Sequence, residues 1–258
     1  MTSLAYAVRD SNTMLRRNLR HIVRYPSMTF LLAGMPVIFL LLFVFVFGGT
    51  LGAGIGGGRD EYLTYVLPGI LLMTLGGTAT GTSVSVATDM TEGIVARFRT
   101  MAIARVSVLT GHVLGSLIQS FAALAIVVGV AFAVGFRTGA GPLAWLGVAG
   151  VLAMVTFALT WLAVALGMVA KTVEEASNTP MPLSLLPFLG SGFVPTDTMP
   201  TGLRQFAEYQ PFTPIMETIR GLLAGTPVGG DLAAATAWCA GIALAGYVWA
   251  KWKYNKQQ

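Results

Sequence analysis

The chain has 258 residues, of which 55% are hydrophobic and only 10% are charged, and its mean hydropathy is +0.72. Because a soluble domain usually carries about 25% charged residues, this composition excludes an ordinary soluble fold. The formal net charge of +5 is first expected to mark loops on the cytoplasmic side of a membrane. The single cysteine, Cys239, lies in an apolar run, which excludes an internal disulfide and a thiolate metal cluster.

Six segments are long and apolar enough to cross a membrane, since a span needs roughly 20 mainly apolar residues. They are residues 28–47, 62–87, 106–136, 138–170, 176–196 and 232–250. The fifth contains Pro180, Pro182 and Pro187, so we expect a kinked or broken helix there. The sequence therefore predicts an all-α polytopic membrane protein with six transmembrane helices, built as the single domain 1–258.

Basic residues predict the orientation, because cytoplasmic loops carry the excess of Lys and Arg. Twelve of them fall in the N-terminal segment, the loop after the second span, the loop after the fourth span and the tail 251–258, whereas Arg59, Arg137, Arg204 and Arg220 fall on the other side. Both termini are therefore expected in the cytoplasm of a bacterial cell, with the chain in its cytoplasmic (inner) membrane.

The segment 1–26, before the first span, has apolar residues on one helical face and a cluster of arginines away from it: Arg16, Arg17, Arg20 and Arg24. This pattern predicts a cytoplasmic amphipathic helix that lies on the inner leaflet. Such a helix either anchors the topology or docks a cytoplasmic partner.

The segment 88–105, between the second and third spans, contains Asp89-x-x-Glu92, a variant of the capping box that predicts the start of a short helix. In that helix Ile94, Phe98 and Met101 share one face, and Arg97 and Arg99 lie elsewhere. The segment is interpreted either as a contact with another protein or as a solvated positive loop.

The outer segment 197–231 is amphipathic near its end. Helical spacing relates its apolar residues, which are Phe212, Ile215, Met216, Ile219, Leu222 and Leu223, and Gly225 with Pro227 ends the run. We expect short interfacial or re-entrant helices that dip into the outer leaflet. Glu217 and Arg220 are three residues apart and are expected to form a weak surface pair.

Motifs for nucleotide binding and catalysis fail their structural requirements. Gly52-x-Gly54-x-x-Gly57 lacks the strand and helix of a dinucleotide site and is interpreted as a flexible loop, and the chain has no P-loop. Ser191 has neither a G-x-S-x-G context nor a suitable histidine, because His21 and His112 are expected to snorkel or to cap helices. We predict no catalytic residue and no metal site.

Charge is absent from the six predicted spans, which contain no Asp, Glu, Lys or Arg. A proton- or ion-coupled transporter normally needs at least one such residue inside the membrane. The energy for transport is therefore expected from outside the chain. Two motifs, Gly77-x-x-x-Gly81 and Gly111-x-x-x-Gly115, are expected to permit close backbone approach between helices, either in internal packing or at a subunit interface or the translocation path.

The order of these elements resembles the permease subunits of type-2 ABC exporters, near the daunorubicin-resistance and the polyketide- or lipid-exporting permeases. The resemblance covers nearly the whole chain. It rests on the basic N-terminal helix, the Glu92-Gly93 loop, the Pro-rich fifth span and a stretch before the last span, Tyr209-Gln-Pro-Phe-Thr-Pro-Ile-Met-Glu-Thr-Ile-Arg-Gly-Leu-Leu.

The resemblance implies a permease that pairs with a copy of itself or a sister permease, and with separate cytoplasmic ATPase subunits. No cofactor is expected in this chain, because ATP and Mg would bind the partner subunit. The coupling contact would involve Asp89, Glu92, Gly93, Arg97, Phe98 and Arg99. The substrate path would be bordered by spans one, two and five, with the outer helix of Phe212, Glu217 and Arg220 as a lid or exit.

The predicted function is thus export of amphiphilic compounds, whether drugs, lipids or glycolipids, by the membrane subunit of an ATP-driven transporter. The alternatives are a secondary transporter or channel without an ATPase, and a membrane enzyme acting on lipids. A buried polar cluster at one depth would indicate the enzyme, and the sequence pattern shows none.

Overall fold

The computed structural model describes residues 26–92 and 105–256, and within them the chain is helical without a strand. The helices are α1 (Pro26–Leu41), α2 (Gly48–Gly54), α3 (Arg59–Thr91), α4 (Arg105–Val134), α5 (Pro142–Val169), α6 (Val173–Asn178), α7 (Met181–Leu185), α8 (Thr201–Tyr209), α9 (Phe212–Ala224) and α10 (Gly229–Lys256). A π-helical turn, Leu42–Phe47, joins α1 to α2. The prediction of an all-α protein is confirmed.

Five helical stretches in the described residues are long and apolar enough to span a membrane. They are Leu32–Gly54, Arg59–Thr91, His112–Val134, Pro142–Val169 and Gly229–Lys253. They coincide with the first four predicted spans and the sixth, with ends displaced by a few residues. The chain is therefore a multi-pass membrane protein.

The predicted fifth span is the segment that breaks. In place of one long helix it forms α6, α7 and a 3-10 turn, Leu186–Leu189. Pro180 caps α7, and Pro182 and Pro187 lie in the first turns of α7 and of the 3-10 helix. Proline is tolerated in a first turn but removes a hydrogen bond from a helix interior, so the three prolines lie at the starts of two short helices.

Helix α3 forms the centre of the bundle and contacts α1, α4, α5, α6, α7 and α9. Its buried side chains include Tyr62, Leu67 and Ile70, all without exposed surface. We call the side of the bundle at the C-terminal end of α3 the Asp89 side and the opposite one the Arg59 side. At 33 residues, α3 is about 50 Å long and connects the two sides.

Glycines of α3 bring the broken fifth segment close to the centre. A Cβ atom on Gly76 would lie 2.6 Å from the Cα of Ser184, and one on Gly69 would lie 2.9 Å from the carbonyl oxygen of Gly192. Gly77 faces open space, and Gly81 meets only the Leu32 side chain at 3.8 Å. Within this chain the close approach therefore occurs at Gly76 rather than at Gly77, and a role of the Gly77-x-x-x-Gly81 motif between subunits or along the translocation path stays a prediction.

Candidate coupling and translocation sites

A buried ionisable pair joins α3 to α4 on the Asp89 side. His112 Nε2 lies 3.1 Å from Asp89 Oδ2, and the two side chains are 6% and 13% exposed. Asp89 belongs to the last turns of α3, which continues to Thr91. The prediction that Asp89 caps a new helix is therefore wrong, and so is the prediction that His112 snorkels or caps a helix.

Hydroxyl groups continue this polar contact towards the middle of the bundle. Thr82 Oγ1 and Ser116 Oγ are 2.7 Å apart, and Ser116 Oγ is 3.2 Å from Thr160 Oγ1 of α5. One turn further, Ser120 Oγ donates to Thr78 Oγ1 at 2.9 Å. All these hydroxyls are buried. Together with the Asp89–His112 pair, these hydroxyl groups form what we call the polar column. It runs along the interface of α3 and α4, so its polar groups lie at several depths in the bundle rather than at one.

The polar column was missed by sequence reasoning, although a signal for it exists. His112, Ser116 and Ser120 are spaced by four residues, so they line one face of α4. Thr78, Thr82 and Asp89 follow the matching helical spacing on α3. Two polar stripes in adjacent apolar helices indicate that the stripes face each other, since lipid offers them no hydrogen-bonding partner.

The predicted coupling residues are only partly covered by the structure. Asp89 is buried in α3, and Glu92 is exposed directly after it, with its backbone N–H donating to the carbonyl of Thr88 at 2.9 Å. Gly93, Arg97, Phe98 and Arg99 lie outside the described residues, as do Arg16, Arg17, Arg20 and Arg24 of the predicted N-terminal helix. The proposed role of these residues stays a prediction.

A variant of the capping box lies at the start of α6, on the Asp89 side. Thr172 Oγ1 accepts a hydrogen bond from the backbone N–H of Glu175 at 3.1 Å, and Glu175 Oε2 accepts one from the backbone N–H of Lys171 at 2.8 Å. Hydrogen bonds with its own backbone N–H and with the Thr172 side chain hold the pKa of Glu174 below its ordinary value. The broken segment therefore has a well-defined start.

On the Arg59 side, Arg220 links α9 to α3 and to the loop at Ser191. Its guanidinium donates to Glu217 Oε1 at 2.5 Å, to the carbonyl of Tyr65 at 3.1 Å and to the carbonyl of Ser191 at 2.9 Å. The same group lies over the Tyr65 ring, 4.0 Å from its centroid. The predicted pairing of Glu217 with Arg220 is confirmed, but the Arg220 side chain is only 18% exposed, so the expectation of a weak contact at the surface is wrong.

The predicted helix around Phe212 is confirmed as α9, and Gly225 ends it with a left-handed φ of +72°. Its apolar face, however, does not point outward. Phe212, Ile215, Met216 and Ile219 are at most 2% exposed, because α9 packs against α3, α5 and α10. The expectation that this face dips into the lipid is corrected: the protein itself covers it.

Four phenylalanines connect α1 with the broken segment beside α3. The rings of Phe188 and Phe193 stack with centroids 4.2 Å apart, Phe43 lies 4.6 Å from Phe193, and Phe39 meets Phe188 edge-on at 5.6 Å. The Tyr62 hydroxyl donates to the carbonyl of Phe193 at 3.1 Å. Phe39, Phe43 and Phe188 remain half-buried. This aromatic cluster lies where spans one, two and the broken fifth segment meet.

Catalytic chemistry finds no support in the geometry. Ser191 lies beside Tyr65 near one end of α3, whereas His112 contacts Asp89 near the other. Asp89 lies 24 residues after Tyr65, so these two positions are about 36 Å apart along α3. In residues 26–92 and 105–256 no three His, Cys, Asp or Glu side chains form a metal-binding group.

The bundle, with five candidate spans in the described residues, is that of a multi-pass membrane protein. The model of the ABC-2 type transporter family matches residues 10–224. The chain therefore belongs to the ABC-2 type transporter family, and it is the membrane permease subunit of an ABC exporter.

Two curated relatives are similar over most of the chain. A daunorubicin resistance ABC transporter permease protein of Streptomyces coeruleorubidus is 32% identical over 224 residues, which are 86% of this chain and 77% of the relative. A probable doxorubicin resistance ABC transporter permease protein of Mycobacterium tuberculosis is 26% identical over 217 residues, 81% of this chain and 75% of the relative. The family resemblance predicted from the sequence is confirmed.

Proposed function

We propose that this permease exports amphiphilic compounds across the cytoplasmic membrane, driven by a separate ATPase subunit. The observation that carries the proposal is the position of charge. Within the five candidate spans, Asp, Glu, Lys and Arg occur only near the ends, at Arg59, Asp60, Glu61, Asp89, Asp231, Lys251 and Lys253. An ion-driven pathway needs an ionisable group or exposed carbonyls at depth. Energy from a partner subunit fits this arrangement.

The substrate class is supported by the aromatic cluster and by the relatives. Phe43, Phe188 and Phe193 offer stacked aromatic surface at the junction of α1, α3 and the broken segment. Aromatic rings stack well against flat apolar molecules. The relatives are named for resistance to daunorubicin and doxorubicin. We infer that flat aromatic amphiphiles are transported, with lipids and glycolipids as the other members of the class.

Orientation and partners complete the proposal. The excess of Lys and Arg in loops supports an orientation with the Asp89 side and both termini in the cytoplasm. In this orientation the segment 88–105 and the N-terminal segment, which is predicted to be helical, face an ABC ATPase, and ATP with Mg binds to that subunit rather than to this chain. A second permease, identical or related, provides the other half of the pathway.

The proposal is tested with the complex as it occurs in cells. The tagged chain is purified from its native membranes with its ATPase, and ATP hydrolysis and doxorubicin transport are measured in liposomes. A Glu92→Ala, Phe98→Ala double variant is compared with an Arg204→Ala variant, which changes only an exposed residue of α8. We expect the double variant to assemble in the membrane but to lose coupled transport. Absence of an ATPase from the purified wild type, with transport intact, would overturn the proposal.

A further inference from the structure

We propose that Asp89 and His112 are positioning residues that hold the two ends of the coupling segment together, so that α3 and α4 move as one body when the ATPase acts. The inference rests on the proposed function, because it assumes that the ATPase contacts the segment between these helices. Neither residue touches the substrate in this account. Their role is to transmit motion.

The first step of the argument is the location of the pair. Asp89 lies two residues before the end of α3 at Thr91, and His112 lies seven residues after the start of α4 at Arg105. His112 Nε2 and Asp89 Oδ2 are 3.1 Å apart, so the pair lies near the points where the connecting segment leaves α3 and enters α4. A force applied to that segment therefore reaches both helices at a point where they are already joined.

The second step concerns the free energy that is needed to separate Asp89 from His112. The side chains are 6% and 13% exposed, so separation of the helices would break a contact between two ionisable groups that is largely shielded from water. Breaking such a contact inside a bundle is more costly than breaking one in water, because no water is available to replace it. Separation of the helices at this point is therefore unfavourable.

The third step is the polar column. Thr82 with Ser116, and Thr78 with Ser120, repeat the cross-helix contact at 2.7 Å and 2.9 Å. Asp89 lies 11 residues after Thr78, so the column extends about 17 Å along α3. Thr160 attaches α5 to the same column. Helices α3, α4 and α5 are thus tied together by side-chain hydrogen bonds on the Asp89 side.

The fourth step is the contrast with the contact between α3 and α1. Gly81 meets α1 only through the apolar Leu32 side chain at 3.8 Å, and the aromatic cluster joins α1 to the broken segment by ring contacts. Apolar surfaces slide and repack more readily than paired polar groups separate inside a bilayer. Motion of the α3–α4–α5 block would consequently open or close its junction with α1, where the aromatic cluster lies.

The test uses the full complex of permease and ATPase in liposomes. The variants are Asp89→Asn, His112→Gln, the double variant carrying both changes, and the exchange variant Asp89→His with His112→Asp. Thr236→Val is the control, since the Thr236 hydroxyl donates only within α10, to the carbonyl of Leu232. Retention of the ATPase, the rate of ATP hydrolysis and the number of substrate molecules transported per ATP are measured, each normalised to assembled complex.

We expect the two single variants to retain the ATPase and to hydrolyse ATP, while transport per ATP falls about tenfold. Because the residues act as a pair, the double variant should lose no more than either single variant, and the exchange variant should recover most of the coupling. Unchanged transport per ATP in both single variants would overturn the inference. Additive losses in the double variant, without recovery in the exchange variant, would also overturn it.

Failure of the proposed function gives a different result. In that case the wild-type chain would bind no ATPase, or would transport without ATP, before any variant is compared. Such a result would rule out the positioning role together with the proposed function. A normal wild-type complex combined with unaffected variants would remove the positioning role alone.

Discussion

Arg220 lies over the ring of Tyr65, 155 residues earlier in the chain, with its guanidinium carbon 4.0 Å from the ring centroid. The same guanidinium donates to the carbonyl groups of Tyr65 and Ser191. One side chain therefore fixes α9 to both α3 and the end of the broken segment. A planar guanidinium with several donors suits this role, whereas an ammonium group does not present the same geometry.

Replacement of Arg220 by Ala should lower the free energy of unfolding by about 2–3 kcal/mol, because buried acceptors and Glu217 lose a charged donor. Arg220→Lys should recover only part of this loss. Arg204→Ala is the matched control, since the Arg204–Glu208 pair is 48% and 40% exposed and such pairs contribute about 0–1 kcal/mol. Unfolding in mixed micelles with increasing SDS measures the difference. Equal effects of Arg220→Ala and Arg204→Ala would contradict the structure.

The two adjacent glycines of α3 predict opposite responses to a single methyl group. Gly76→Ala places a Cβ atom 2.6 Å from the Cα of Ser184, whereas Gly77→Ala meets open space. The clash involves backbone atoms, so we expect Gly76→Ala to destabilise the protein by about 1–3 kcal/mol. Gly77→Ala should be neutral or slightly stabilising, because alanine favours helix. The thermal midpoint of each purified variant in detergent tests this, and destabilisation by Gly77→Ala alone would refute the packing at Gly76.

The capping box of α6 predicts a smaller, local effect. Thr172→Ala removes the acceptor for the Glu175 backbone N–H and should cost about 1 kcal/mol. Thr236→Ala removes a hydroxyl that bonds only within its own helix, and should change stability by less than about 0.5 kcal/mol. Hydrogen exchange of the α6 amides reports the change locally. Unaltered exchange in α6 after Thr172→Ala would show that the cap does not stabilise this helix.

If the proposed function is correct, replacement of Phe188 should change the KM for substrate transport more than it changes the stability of the complex. Phe188→Ala removes the ring that stacks on Phe193 and meets Phe39 and Phe43. We expect the KM for doxorubicin transport to rise about tenfold, since aromatic pairs contribute about 0.5–1.5 kcal/mol beyond buried area. Phe157→Ala is the control, because Phe157 pairs with Trp161 on α5, away from the cluster. The same change of KM in both variants would exclude a direct role for the cluster.

The sequence predicted the elements whose formation depends on local signals. The periodicity from Phe212 to Leu223 and the glycine at position 225 predicted α9 and its end, and Gly225 has the positive φ that such an end requires. The three prolines predicted the break of the fifth segment, and the structure has that break. In these cases the residues that determine the structure are neighbours in the chain.

Sequence reasoning failed where distant residues decide the structure. Asp89-x-x-Glu92 and Thr172-x-x-Glu175 have related patterns, but Asp89 lies inside α3 whereas Thr172 is the N-cap of α6. Asp89 instead turns towards His112, because burial at the interface of α3 and α4 requires a partner. The contact of Arg220 with Tyr65 joins residues far apart in the chain, so spacing along one helix predicted only the Glu217 pair. For both Asp89 and Arg220, sequence reasoning failed to predict that other helices cover the helix face on which the residue lies.

ATP-dependent uptake of doxorubicin into liposomes that contain the purified permease and its ATPase tests the central claim most directly. Liposomes with a hydrolysis-deficient ATPase serve as the control for passive entry. The account predicts uptake that requires hydrolysable ATP and persists when proton and sodium gradients are dissipated. Uptake that continues without ATP and disappears with the gradients would contradict it.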